Sequence, residues 1–250
     1  MADTTTSEVD RMNSEKQLAL MEHLAELRTR IVRSIIYAGV GTIAGWSFYR
    51  FFFRLLCAPV TDCLTQKGSS FLLTGVTEGF TIKMQISVLI GVILALPLIT
   101  WEAWRFIEPG LTRSEKRAFR LIAPLSIILF IFGIVVAYWL LPTGIKWLVA
   151  QNPPEAKFMP SVAQTLIFIL KMYLGFGLTF QMPVILMFLG KVGLINSRML
   201  RSYWRYAVVL IGIIAAVVTP SGDAFTMTMM ALPMIGLYIL SIGLVRLVEK

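Results

Sequence analysis

Few side chains in this 250-residue chain are of types that do chemistry, and most of those are carboxylates set among basic residues. Glu26 lies in Met21-Glu22-His23-Leu24-Ala25-Glu26-Leu27-Arg28, and Glu115 lies in the stretch from Trp104 to Arg120, which also holds Glu108 and five basic residues. A carboxylate in such surroundings is ordinarily a solvated salt-bridge partner. Brought together, Glu26 and Glu115 would instead form an acidic pocket on a basic face. Such a pocket suits arginine, because a guanidinium fork binds carboxylate through two parallel hydrogen bonds and lysine cannot. Gln181, in Phe180-Gln181-Met182-Pro183, sits in an apolar run. Its amide must bond either to carbonyls freed by Pro183 or to a neighbouring helix. Asp223, in Thr219-Pro220-Ser221-Gly222-Asp223, has the type and setting of a turn-former.

Other chemistry finds no purchase. His23 is the single histidine, and Cys57 and Cys63 are the two cysteines. This inventory builds no closed zinc site and no adjacent Cys/His couple. The phosphate loop GxxxxGK[ST] is absent, as are HExxH, GxSxG and any run of intramembrane carboxylates. The expectation is a protein that is not an enzyme and uses no metal or cofactor. Both cysteines fall in one outer loop, where a disulfide would survive, although helical spacing would hold them too far apart to bond.

The elements that must position these residues are membrane helices. The chain is 57% hydrophobic and 15% charged, against about 25% charged in soluble domains. Stretches free of acidic and basic residues run from Ser34 to Tyr49, Met84 to Trp101, Leu121 to Ile145 and Met172 to Gly190. The region from Tyr206 to Val245 holds one charge, Asp223, in a Pro/Gly turn. This pattern predicts an all-α, polytopic fold of six transmembrane helices, the last two a hairpin. Residues 1–17 are polar and offer no signal-peptide core, so the first span itself directs insertion. With the N-terminus inside, 16 of the 23 basic residues fall on that side, which places both termini in the cytoplasm. The net charge of +9 thereby reports orientation in a bilayer rather than a nucleic-acid partner.

Residues 1–30 read as a cytoplasmic, amphipathic N-terminal region and 31–250 as a single six-helix domain. Within the first, a helix from Ser14 to Arg33 opens on a Ser14/Gln17 capping box. It carries Leu20, Leu24, Leu27 and Ile31 on one face and Glu22, Glu26, Arg30 and Arg33 on the other. It would lie in the interface, pairing its own charges at i,i+4. Pro97, Pro124, Pro183 and Pro233 within spans favour a curved, concave bundle. Span five, from about Tyr203 to Val218, is only ~16 residues, roughly 24 Å against a ~30 Å hydrocarbon core. Gly41 and Gly45 form a GxxxG, a pattern common by chance in apolar helices.

In order along the chain, these stretches resemble the TatC family of the twin-arginine translocase. The resemblance runs from about Met21 to Val245. It rests on Met21–Arg28, Ala58-Pro59, Trp104-Arg105-Phe106-Ile107-Glu108-Pro109-Gly110-Leu111 with Ser114-Glu115-Lys116-Arg117, Gly175–Pro183, Thr219–Asp223 and Ala231-Leu232-Pro233. It implies a multi-pass protein of a bacterial-type cytoplasmic (inner) membrane, with short helices five and six. Its function would be to bind the twin-arginine signal peptides of folded cargo. It would assemble with single-span TatA-like and TatB-like subunits and self-associate, for export driven by the proton-motive force. Carried over by motif, Glu26 and Glu115 would meet the signal arginines, with Arg28 and Phe106 on the same surface. Pro59 and Asp223 would be kept on the outer side, and Gln181 would meet partners within the membrane. Many relatives carry glutamate where this chain has Gln181, so a titrating carboxylate there is not available.

The rival reading is a secondary transporter of a small solute. It would require pseudo-repeats and polar groups converging at the midplane, and the sequence offers neither. A bare scaffold would be insensitive to changes at the glutamates.

Overall fold

The computed structural model describes residues 3–65, 72, 75–108, 113–153, 159–219 and 222–249, with the side chains of 3–20, 61–65 and 113–121 excepted. Helices make up nearly all of it. They are α1 (Asp3–Ser47), α2 (Tyr49–Thr65), α3 (Glu78–Ile107), α4 (Arg113–Ala150), α5 (Val162–Thr179), α6 (Met182–Lys191), α7 (Ser197–Ser202), α8 (Trp204–Val218) and α9 (Ala224–Val248). Four segments are long and apolar enough to cross a membrane: α3, Ile122–Ala150 of α4, Val162–Lys191 across α5 and α6, and α9. The stretch from Met21 through Ser47 and on to Val60 makes a fifth if its two pieces, bent by 83°, count as one span. The apolar α8 is the sixth element, and it is short. Its 15 residues reach roughly 22 Å.

Local sequence accounts for most of these boundaries. Asp223 caps α9, its Oδ1 accepting the Thr226 N–H at 2.8 Å, and Gly222 takes φ +63° in the turn before it. Asn196 caps α7 in the same way, accepting from Met199 N at 2.7 Å. Pro97, Pro124 and Pro233 lie inside helices, as the sequence predicts. Pro183 does not. It stands in the first turn of α6, just after a break at Phe180–Gln181, where its missing N–H costs nothing. The expected Ser14/Gln17 cap also differs: α1 starts at Asp3 and runs through both residues without interruption. A capping spacing acts only where the preceding backbone is non-helical, and here it is helical.

The bundle is built around α5. Leu166, Ile169, Leu170 and Phe176 are fully buried, packed with Leu141 of α4 and Met230 and Met234 of α9, and the Phe130 ring of α4 lies against Gly177. Trp104, Ile122, Ala123, Val184 and Met187 form a second cluster, joined by Leu244 and Val248 near the end of α9. The same end carries His23 of α1 stacked on Phe106 of α3, at 4.2 Å between ring centres. The described chain therefore begins and finishes at one end of the bundle. At the opposite end, Leu72 bridges to Ser161, its N–H donating to the Pro160 carbonyl at 3.1 Å, and ties the α2–α3 connection to the start of α5.

The α1–α3 crossing is closer than any apolar side chains would allow. A methyl group on Gly91 would stand 2.4 Å from the Thr42 backbone nitrogen, and one on Gly41 would stand 2.5 Å from the Gly91 carbonyl oxygen. The GxxxG of the first span is thus used: Gly41 lies on Gly91, and Gly45 on Ser87. The cysteines are not joined, since Cys57 is a free, buried thiol.

Candidate functional site

The close α1–α3 crossing brings the polar face of α1 onto the last turns of α3. Arg30 stands between two carboxylates. Its Nη2 donates to Glu26 Oε1 at 2.6 Å, its Nε to the same oxygen at 3.2 Å, and its Nη1 to Glu102 Oε2 at 2.6 Å. Tyr37 donates its hydroxyl to the second oxygen of Glu102 at 3.2 Å, with Arg33 Nη1 3.9 Å from that oxygen. His23 Nδ1 lies 3.8 Å from the free Glu26 oxygen. The Glu102 side chain is only 5% exposed, Arg30 17% and Glu26 30%. The cluster therefore grades from a buried carboxylate to one with an open edge. Desolvating Glu102 is costly, and the Arg30 guanidinium, the Tyr37 phenol and the nearby Arg33 offset that cost.

The pairing read for the N-terminal helix is thereby extended. The i,i+4 pair Glu26–Arg30 forms, but it is not an isolated surface pair, because Arg30 also bonds another helix. Of the apolar stripe, Leu24 and Ile31 are exposed and Leu27 half-buried, while Glu26 and Arg30 pack inward. In lipid the solvent is itself apolar, so the face that must find partners within the protein is the polar one.

Phe106 is half-buried under His23, one turn beyond Glu102 on α3. Arg28 is exposed and outside the ion-paired cluster. Glu115 is the third residue of α4, in its first turn, where a carboxylate complements the helix dipole. Its side chain lies outside the described residues. Gln181 is in the middle of the bundle and buried. Its Nε2 donates to the Ser126 carbonyl at 3.0 Å and its Oε1 accepts the Ser126 hydroxyl. Of the two alternatives for this amide, the neighbouring helix has it. Pro59, buried within α2, and Asp223, capping α9, belong to the opposite end from Glu26. Among the described residues no cluster of three or more His, Cys, Asp or Glu could hold a metal ion.

Glu102 escaped sequence reading. It sits in Trp101-Glu102-Ala103-Trp104, where it marks the end of a charge-free run and passes for a boundary residue. An acid flanked by aromatic residues on an apolar helix was the available signal, because such a group needs a cation from another helix.

The family model described as Sec-independent protein translocase protein (TatC) matches residues 22–233. The chain belongs to the TatC family. Among the relatives, the TatC of Desulforapulum autotrophicum is 37% identical over 229 residues, which cover 91% of this chain and 84% of that one. The TatC of Aquifex aeolicus is 35% identical, covering 93% and 97%. The chloroplastic TATC of Arabidopsis thaliana is 34% identical, covering 96% and 70%. A crystal structure of the twin arginine translocase receptor TatC superposes with a TM-score of 0.79 at 35% identity, covering 91% of this chain and all of that one. A second, of the same receptor in DDM, gives 0.78 at 36% identity. As a TatC family member, the chain is a multi-pass membrane component of a protein translocase. The all-α fold read from the sequence matches that of the solved TatC receptor.

Proposed function

We propose that this TatC family chain is the receptor subunit of its translocase and reads the twin arginines of a signal peptide at the α1–α3 end of the bundle. Family membership supports this reading, and one observation carries it: the site already holds a guanidinium. Arg30 satisfies Glu26 and Glu102 together in the geometry an incoming arginine would use. Glu26 keeps an oxygen toward His23 and the open edge, and Glu115 would supply the second carboxylate from the first turn of α4. Arg28 and Phe106 would border the peptide. The termini-bearing end would be the cytoplasmic one, in a bacterial-type inner membrane. Residues 1–30 would form the cytoplasmic approach and 31–250 the membrane domain. Single-span TatA-like and TatB-like subunits, and further copies of the chain, would assemble around the bundle for export driven by the proton-motive force. Gln181, Pro59 and Asp223 would act there through the shape they fix. The small-solute transporter reading would need polar groups converging at the midplane, and Gln181 there is engaged at both ends by Ser126.

The test is crosslinking of an export precursor in membranes from photoreactive probes at positions flanking Glu26 and Glu115. The precursor carries either its twin arginines or two lysines. Crosslinks that vanish with lysine support guanidinium recognition. Equal crosslinks with both would overturn it.

A further inference from the structure

Arg30 bridges two carboxylates of unlike exposure. Glu102 lies on α3 and is 5% exposed, with its second oxygen against the Tyr37 hydroxyl and 3.9 Å from Arg33. Glu26 lies one turn before Arg30 on α1 and is 30% exposed, with its second oxygen 3.8 Å from His23. Arg30 gives Glu102 one N–H, from Nη1. It gives Glu26 the other edge of its fork, Nε and Nη2 onto a single oxygen.

The two attachments therefore differ in what it costs to break them. Parting Arg30 from Glu102 would leave a buried carboxylate without its closest cation, which is strongly unfavourable. Parting it from Glu26 opens a partly exposed i,i+4 pair, and such pairs are weak. Both residues of that pair sit on α1, so side-chain rotation suffices. Glu26 is thus occupied by a cation of the protein's own, held where it can leave. A ligand that needs a site free only part of the time binds more weakly, by the fraction that is free.

We infer that Arg30 is a resident competitor for the Glu26 carboxylate, and that Glu102 retains Arg30 when an incoming guanidinium takes its place. This exchange rests on the proposed reading of Glu26 as a recognition carboxylate. Arg30 and Glu102 are positioning residues that act through Glu26. The displaced pair is the same for any ligand cation, so the competitor scales affinity without choosing between arginine and lysine. Substitutions at the two residues move affinity in opposite directions. Weakening the competitor frees Glu26 and tightens binding. Removing the Glu102 charge leaves Arg30 with Glu26 alone and weakens binding. A purely structural cluster would lose affinity in both cases.

Binding of twin-arginine and twin-lysine signal peptides would be titrated on the full-length, membrane-reconstituted protein. The forms compared are wild type, Arg30→Lys, Glu102→Gln, Glu26→Gln, and Arg30→Lys combined with Glu26→Gln. Arg30→Lys keeps a cation between the carboxylates but loses the fork, and should bind the arginine peptide severalfold more tightly than wild type. Glu102→Gln should bind it severalfold more weakly. In the Glu26→Gln background Arg30→Lys should gain nothing, since no carboxylate is left to contest. Unchanged or weaker binding by Arg30→Lys would overturn the inference, as would a gain that persists without Glu26. In the wild type labelled with 15N-arginine, the Arg30 Nε resonance in solid-state spectra should move at saturating peptide. A resonance that stays in place would overturn the exchange without recourse to any variant. Equal wild-type affinity for the two peptides would sink the recognition reading and this inference with it. A clear arginine preference with no gain in Arg30→Lys would sink the exchange alone.

Discussion

Two polar sites in this molecule solve the problem of polarity in lipid differently. Gln181 and Ser126 are neutral, buried and paired, with amide oxygen and nitrogen both bonded to one residue of α4. The Arg30 cluster is charged and joins two helices by side chains far apart in sequence. It grades from the buried Glu102 to the half-open Glu26. A buried pair of this kind fastens two helices, with both ends of the amide engaged by one neighbour. A charged cluster with an exposed edge can exchange one guanidinium for another, because the incoming group replaces what it displaces. Under the proposed function, recognition would fall to the α1–α3 end and fastening to the middle.

The largest expected effect comes from the buried member of the cluster. Glu102→Ala leaves Arg30 partly buried with a single carboxylate, and breaking such a pair costs about 3–5 kcal/mol. Thermal unfolding in detergent should show the loss, accompanied by an export defect. Wild-type stability would mean that the cluster is no more than surface charge. Gly91→Ala pushes α1 off α3 without touching any charge. The added methyl meets the Thr42 backbone, and overpacking of this kind costs about 1–3 kcal/mol. It should reproduce the Glu102→Ala export defect. Normal export from that variant would uncouple the cluster from the helix crossing.

Gln181→Leu removes the fastening pair, which is worth about 1 kcal/mol in membranes. Stability should fall slightly while the preference for twin-arginine over twin-lysine precursors stays intact. Loss of that preference would merge the two sites that the comparison separates.

The smallest effect concerns a latch near the chain's end. Ser197 donates its hydroxyl and its backbone N–H to Glu249, each at 2.6 Å, and Arg198 and Arg246 stand nearby. The hydrogen bonds from Ser197 hold the Glu249 carboxyl below its ordinary range, against partial desolvation. A carboxyl depressed in the folded state stabilises above its unfolded pKa, and that stabilisation is lost as pH falls through the folded pKa. Glu249→Gln should therefore be slightly less stable than wild type at neutral pH, and the gap should close in acid. A gap independent of pH would show that the latch works by shape alone.

Much of this was legible in sequence because lipid enforces a simple code. Charge-free runs marked α3, α4, α5 with α6, and α9. The Pro-Ser-Gly-Asp turn separated α8 from α9 and put Asp223 at a cap. The motif residues placed Glu26 and Phe106 near each other. The partners were not legible. Gln181 could turn to its own backbone or to α4, and only packing chooses. Arg30 looked like an i,i+4 partner for Glu26, a local pattern that hid its second carboxylate 72 residues away. Gly41 and Gly45 were an ordinary GxxxG until Gly91 lay against them. Tyr173 was one aromatic residue in an apolar run, and only packing shows that it is buried.

The most direct measurement compares the affinity of purified, membrane-reconstituted protein for twin-arginine and twin-lysine signal peptides in three forms: wild type, Glu26→Gln with Glu115→Gln, and Gln181→Leu. A clear arginine preference is expected in the wild type, with its collapse in the double glutamate variant and its survival in Gln181→Leu. A preference that survives loss of both glutamates, or that disappears with Gln181, would contradict it.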